Sequence, residues 1–201
     1  MPLSLPPGIV LYFCRHGETQ ANVEKRFQGP GTDTPLTAKG REQARTLARL
    51  LRRDWPDPAS LSFVSSPLPR AQITMEIVLA ALRLPIAAFS TDARLQEIDL
   101  GIWDGLTGEE ARALDPALFD RRVHDKWNVH VPGGENYAEV AARAADWVES
   151  LSADTFAVSH GALTRILRGL FLGLPWQGMS GLDEPQGVVF RVRSSEVARL
   201  D

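Results

Sequence analysis

Leu11-Tyr12-Phe13-Cys14-Arg15-His16-Gly17-Glu18-Thr19, running on to Asn22, is the stretch whose reading decides the fold. Ile9 to Phe13 is a short apolar, partly β-branched run, the pattern of a buried strand. It breaks off at Arg15-His16-Gly17. A polar turn at the carboxyl end of a central strand is where open α/β sheets build their sites. Continued strand pitch would send Arg15 and His16 in opposite directions, and the glycine frees the backbone to fold both toward one pocket. A histidine there can attack phosphorus while the adjacent guanidinium grips the phosphate oxygens.

Outward from this stretch the chain alternates. Val23 to Thr34 is a polar loop. Thr37 is the expected N-cap of a helix with Ala44, Leu47, Ala48 and Leu51 inward and Arg41, Arg45, Arg49, Arg52 and Arg53 on its solvated face. Leu61 to Val64 reads as the second strand, with Ser66 as N-cap and Pro67 as first residue of the next helix. Ile73, Ile77, Val78 and Ala81 are that helix's expected stripe. Arg70 then lies in a first helical turn, the wrong end for a cation unless an anion binds there. Pro85 to Phe89 reads as a third strand nearer an edge. Thr107 to Glu110 and Asn136 to Glu139 are capping boxes. The second opens a helix with Val140, Ala144, Trp147, Val148 and Leu151 inward. Thr155 to Ser159 is a buried strand ending in Ser159-His160-Gly161, before a helix with Leu163, Ile166, Leu167, Leu170 and Phe171 inward. Gly187 to Val192 reads as the last strand. Three strand ends therefore present Arg15 with His16, Arg70, and His160. The alternation predicts an α/β three-layer sandwich, a mostly parallel central sheet with helices on both faces.

The totals narrow the classes. A chain of 201 residues, 44% apolar, suits one domain spanning residues 1–201. A net charge of −3 gives no general attraction to nucleic acid, so an anion site must be local. The single cysteine, Cys14, reads as a core thiol and excludes an internal disulfide framework. No apolar run approaches the ~20 residues of a membrane span. The N-terminus lacks a basic leader, so the expected location is the cytoplasm.

Arg15-His16-Gly17 after the first strand resembles the signature of the histidine phosphatase superfamily, also called phosphoglycerate mutase-like. Ser65-Ser66-Pro67-Leu68-Pro69-Arg70-Ala71 is similar to its second motif, with Pro69 an unusual neighbour for the arginine. Leu95-Gln96-Glu97, followed by Gly101-Ile102-Trp103-Asp104-Gly105, matches its carboxyl-bearing stretch. The resemblance implies a phosphate pocket of Arg15, His16, Asn22, Arg70 and His160. His16 would be the nucleophile and Glu97 the general acid. Thr19, Gln28 and Gly29 match positions that touch substrate. No metal or other cofactor is expected, because arginines and histidines carry the positive charge. Residues from about 98 to 132 read as a small inserted cap over the site. His124 and His130 lie in it and read as solvated or structural.

Three functions were weighed. The first is a phosphomonoester hydrolase with a phosphohistidine on His16, acting on a small-molecule phosphate ester. The second is a 2,3-bisphosphoglycerate-dependent phosphoglycerate mutase. It is disfavoured because Ala162 stands where such mutases carry asparagine, and because Arg121-Arg122 lacks their surrounding aromatic and proline pattern. The third is an inactive phospho-ligand or partner-binding module, disfavoured because His16, Arg70, Glu97 and His160 are all present. No nucleic-acid or membrane partner is expected, and a homodimer is left open. A sugar phosphate, a ribazole phosphate, a nucleotide fragment or a phosphoprotein would each suit the pocket.

Overall fold

A computed structural model describes residues 2–194 and 196–201. Its elements in chain order are β1 (Val10–Arg15), α1 (Gln20–Val23), α2 (Ala38–Asp54), β2 (Ser62–Ser65), α3 (Pro69–Leu82) and β3 (Phe89–Thr91). There follow α4 (Gly108–Leu114), α5 (Pro116–His124), α6 (Tyr137–Glu149), β4 (Thr155–Ser159), α7 (Gly161–Phe171), α8 (Trp176–Met179), β5 (Val189–Arg193) and β6 (Glu196–Leu200). The strands form one sheet in the order β3-β2-β4-β1-β5-β6. β3, β2, β4 and β1 pair in parallel, while β5 and β6 are antiparallel.

The period-two pattern of β1 sorts the core onto both faces of the sheet. Leu11 and Phe13 pack with Val140, Ala144 and Trp147 of α6 and with Leu163, Ile166 and Leu167 of α7. Tyr12 and Cys14 face the other way, against Leu47 and Leu51 of α2 and Met75, Val78 and Leu79 of α3. Cys14 is a buried core thiol, and burial raises its pKa. The register places Arg15 beside Ser159 and Ser65 beside Val158. The carboxyl ends of β1, β4 and β2 are therefore level, and their side chains share one rim. No helix among the described residues is long and apolar enough to cross a membrane.

Several boundaries differ from expectation. α3 begins at Pro69, with Leu68 as a cap that makes no side-chain hydrogen bond. Ser66 and Pro67 do not open it, because Pro69 takes the first helical position and the Ser66 hydroxyl is used elsewhere. The buried stripe of α3 is Ala71, Thr74, Met75, Val78, Leu79 and Leu82, so Ile73 and Ile77 are only half-buried and Ala81 is exposed. The helix carries apolar residues all round, and more than one stripe fits its period. Residues 85–88 form a turn, and the edge strand starts only at Phe89. β5 is not the last strand, because β6 adds a further edge. Charged edge strands such as Glu196–Leu200 lack the apolar run by which strands are recognised.

The segment 98–132 holds α4 and α5 and a small core of Trp103, Ala111, Leu118 and Val131, with Phe27 and Leu100 packed against it. It is tied to the loop after α1 by Phe27 N–H donating to Leu106 O (2.7 Å) and Gly105 N–H to Phe27 O (2.9 Å).

Gly17 serves close approach rather than dihedral freedom, for its φ is not positive. A Cβ on Gly17 would stand 2.2 Å from the carbonyl oxygen of Gly40, and one on Gly40 2.1 Å from that of Glu18. The first turn of α2 thus lies directly on the His16 loop. Gly40→Ala should destabilise the fold by about 1–3 kcal/mol, the usual scale of overpacking against unyielding atoms. An unchanged midpoint in urea unfolding would show that the two backbones are not in contact.

Candidate active site

The site grows from the end of β1. His16 is 2% exposed, and its backbone N–H donates to Ser159 O at 2.9 Å. Its ring Nδ1 lies 2.8 Å from Gly17 O. A carbonyl can only accept, so Nδ1 carries the proton. Burial, then the charges of Arg15 and Arg70, push the His16 pKa well below 6.5. The ring is therefore neutral near pH 7, with its lone pair on Nε2. Gly17 N–H donates to Thr74 Oγ1 (3.1 Å) and Glu18 N–H to Gln43 Oε1 (2.8 Å), so α3 and α2 fix the loop on either side.

The spacing Thr19 to Asn22 is a capping box on α1. Thr19 Oγ1 accepts from Asn22 N–H, and Asn22 Oδ1 accepts from Thr19 N–H at 3.2 Å. Asn22 Oδ1 accepts again from Gln186 Nε2 at 2.9 Å. With that oxygen doubly engaged, Asn22 turns its NH2 group to the cavity as a donor. Thr19 is fully buried, donates to Gln28 Oε1 (2.8 Å), and does not line the cavity. Gly29 does not line it either, because its N–H is taken by Asp104 Oδ1 at 2.8 Å. Gln28 lines it, while its amide nitrogen donates to Thr34 Oγ1 at 3.2 Å.

Arg70 and His160 lie beneath the floor, 1% and 0% exposed. Arg70 is aimed by its outer nitrogens, which donate to Gln28 O (2.9 Å), Gly29 O (3.3 Å), Thr32 O (3.2 Å) and Asp33 Oδ1 (2.9 Å). The rings of His160 and His16 stand 5.1 Å apart. His160 was expected to share the positive charge, and here the structure differs. Burial and the neighbouring Arg70 push its pKa well below 6.5, so the unliganded ring is neutral. Its Nε2 is 2.7 Å from Ser66 Oγ, the hydroxyl expected to cap α3. Arg15 Nε, Arg70 Nε and His160 Nδ1 are all buried without a hydrogen-bond partner among the described residues. Each such orphan costs about 1–3 kcal/mol, and phosphate oxygens are the acceptors such a set is suited to receive.

Glu97 follows a 3-10 turn, Ala93–Leu95. Arg143 of α6 supports this segment by donating to Arg94 O (2.7 Å) and Gln96 O (2.9 Å). Glu97 Oε1 accepts from its neighbour Ile98 N–H (3.0 Å), and Oε2 from Ala162 N–H at the start of α7 (3.4 Å). Burial, then the charge of Glu184, raise its pKa against the opposing pull of Arg15, the Ile98 N–H and Arg70. Glu184 approaches Arg15 at 3.7 Å and Arg165 at 3.0 Å. A Cβ on Gly161 would stand 2.7 Å from its Oε2, so the glycine leaves space for that carboxylate.

Arg15, His16, Asn22, Gln28, Glu97 and Glu184 line a cavity of about 580 Å³ roofed by the cap, while Arg70 and His160 are buried outside its lining. Six cationic side chains and three carboxyls line it, in a chain of net charge −3. Phe27, Trp103 and Phe119 form its apolar wall, the first two stacked at 6.1 Å. His130 Nδ1 and Nε2 meet Gly134 O and Asn136 Nδ2, and His124 ends α5 exposed, so neither points at the site's chemistry. Among the described residues no group of three or more His, Cys, Asp or Glu could hold a metal ion. The sequence reading missed Glu184, Gln186, Arg165, Arg143 and the cap cations Arg122 and Lys126. Arg143 and Arg165 fall on helices read only for their apolar faces, and Glu184 and Gln186 in a loop without periodicity.

Comparisons with known proteins show the family and the fold. The family model for the histidine phosphatase superfamily, branch 1, matches residues 11–196. A probable phosphoglycerate mutase, GpmB of Salmonella paratyphi C (strain RKS4594), is 33% identical over 204 residues, covering 95% of this chain and 84% of that one. Bacillus stearothermophilus YhfR superposes with a TM-score of 0.80 at 32% identity, over 92% of this chain and 91% of its own. A mycobacterial glucosyl-3-phosphoglycerate phosphatase in complex with VO3 superposes with a TM-score of 0.77 at 30% identity, over 96% of this chain and 98% of its own.

Proposed function

The chain belongs to the histidine phosphatase superfamily, branch 1, and within it we propose a phosphomonoester hydrolase that works through a phosphohistidine on His16. The observation that carries this reading is the neutral, buried His16 ring with Nδ1 tied to Gly17 O and its lone pair left on Nε2. Nε2 attacks phosphorus as the bond to the ester oxygen breaks. Glu97, kept protonated by burial, gives its proton to the departing oxygen. Arg15, Arg70, His160 and the Asn22 amide receive the charge spread over the equatorial oxygens. In the second step the Glu97 carboxylate takes a proton from water as the water oxygen attacks phosphorus. The P–N bond breaks, its electron pair returns to Nε2, and inorganic phosphate leaves.

A mutase is the second reading, because a curated relative at 33% identity is named a probable phosphoglycerate mutase. It differs only in where the phosphoryl group goes. Ala162 favours hydrolysis, and so does the likeness to a glucosyl-3-phosphoglycerate phosphatase. The test is a panel of phosphate esters in EDTA, with a mutase assay alongside. We expect p-nitrophenyl phosphate to be hydrolysed equally with and without chelator, because guanidinium groups supply the site's charge. Activity lost to EDTA and restored by magnesium would overturn the metal-free mechanism. Efficient conversion of 3-phosphoglycerate to 2-phosphoglycerate, primed by 2,3-bisphosphoglycerate, would reverse the ranking of the two enzymes. Failure to hydrolyse any ester would return the chain to the binding-module class.

A further inference from the structure

Ser66 carries a buried hydroxyl under the floor of the site to which the chemistry at His16 gives no task. It is 0% exposed, just past the end of β2, and its backbone N–H donates to Val158 O at 2.9 Å. Its carbonyl accepts from Ser65 Oγ at 2.9 Å, so the main chain is held on both sides. Its Oγ accepts from Leu68 N–H at 3.3 Å and lies 2.7 Å from His160 Nε2. Among the described residues Oγ has no other partner, so its proton has one destination, the ring. Burial and the neighbouring Arg70 keep that ring neutral, and a neutral imidazole carries one proton on one of its two nitrogens. With Nε2 accepting from Ser66, the proton is on Nδ1. Nδ1 is buried with no partner among the described residues, although Arg70 and Arg15 are charged neighbours of the ring. A bare Nδ1 would be an acceptor for a guanidinium, yet Arg70 Nε and Arg15 Nε are themselves unpartnered and neither reaches it. A protonated Nδ1 is a third donor of the same set.

We propose that Ser66 is a positioning residue that sets the tautomer of His160. Its hydroxyl donates to Nε2, holds the ring proton on Nδ1, and so makes the uncharged ring a hydrogen-bond donor to a phosphoryl oxygen. The two histidines of the site then share one tautomer and use opposite ends of it. His16 spends its Nδ1 proton on Gly17 O and offers its lone pair to phosphorus. His160 spends its lone pair on Ser66 and offers its proton to oxygen. The opposite tautomer would turn a lone pair toward the anion, where only a donor is of use. This rests on the hydrolase reading and adds to it a residue that does not touch the substrate.

Nitrogen NMR of the parent protein, with and without orthophosphate, reads the tautomer directly, and His160→Gln identifies the His160 signals by their loss. Nδ1 should resonate as an N–H nitrogen and Nε2 as a bare ring nitrogen in both states. Ser66→Ala should shift the proton toward Nε2 in the phosphate-free protein. It should also weaken orthophosphate binding in calorimetry about tenfold, the worth of one charge-assisted hydrogen bond, with a similar fall in kcat/KM. Ser66→Thr, which keeps the hydroxyl, should retain both the tautomer and the affinity. Because Ser66 acts through His160, Ser66→Ala should cost little further in the His160→Gln protein. A proton on Nε2 in the parent would overturn this proposal and leave the hydrolase reading standing. So would a Ser66→Ala protein unchanged in tautomer or in phosphate affinity, or losses that add in the double variant. If Ser66→Ala does not fold, Ser66→Cys, whose S–H is a weaker donor, takes its place with the same outcomes. Failure of the parent to bind orthophosphate would sink this proposal together with the hydrolase reading.

Discussion

His16→Ala should lose turnover by on the order of 10⁶-fold, the scale on which an enzyme loses rate when its nucleophile is removed from a unit that acts together. The fold should survive, since among the described residues the ring's one hydrogen bond is to its neighbour Gly17. Acid quench of the parent should destroy the intermediate and alkaline quench preserve it, because a phosphoramidate is acid-labile and base-stable. Mass spectrometry should place the phosphoryl group on His16. An acid-stable phosphoester on serine or threonine would mean the nucleophile is another residue. The pH dependence follows from the lowered pKa. The imidazole must be unprotonated to attack, and burial with two arginines keeps it so well below pH 6.5. With p-nitrophenyl phosphate, which does not need the Glu97 proton, the rate of phosphohistidine formation should therefore stay level through pH 6.5 and decline only at lower pH.

Glu97→Gln should cost roughly 10²–10⁴-fold for an alkyl phosphate and little for p-nitrophenyl phosphate. An alkoxide leaves badly without a proton, whereas p-nitrophenolate departs largely unaided. The glutamine oxygen can still accept from Ile98 N–H, whose contact with Glu97 is the shorter, while the NH2 replaces the oxygen at the longer Ala162 N–H contact, so the change removes a proton and one weak hydrogen bond with little change of shape. Single-turnover rates are the measurement, because in the proposed mechanism Glu97 also acts on water in the second step. For the parent with an alkyl ester, the rate should fall as pH rises through the elevated Glu97 pKa, and Glu97→Gln should lack that limb. Equal losses for both esters would mean that Glu97 only positions the phosphate.

Of the residues behind these predictions, His16 was legible for a physical reason and Glu97 through the family resemblance alone. Arg15, His16, Arg70 and His160 follow strands whose apolar runs are short and sharply ended, so each run fixed the site residue that comes after it. The parallel core was readable from the same signal. What was not readable came from groups whose role depends on a distant partner. Ser66 was assigned to a helix cap because its spacing fits one, yet the fold gives its hydroxyl to His160, 94 residues away. Thr19 and Gly29 match the family's pattern, but their hydrogen bonds go to Gln28 and Asp104 and neither lines the cavity. The expected charge on His160 failed because burial outweighs the chemistry of an isolated imidazole. β6 escaped because an edge strand need not be apolar.

The pairing of β1 also dictates an order of events during synthesis. β1 leaves the ribosome before the other strands and leads directly into His16, the proposed nucleophile, but both of its neighbours in the sheet, β4 and β5, are made late. The backbone of Val10 is held by Asp154, a contact that spans 144 positions. A chain of such high contact order folds slowly, since loop closure is paid before any long-range pairing rewards it. While α2, α3 and the cap are being translated, the apolar run of β1 has no partner strand and presents two open edges. The segment that leads into the candidate site is thus the aggregation hazard of the nascent chain, until β4 arrives and closes the sheet around it.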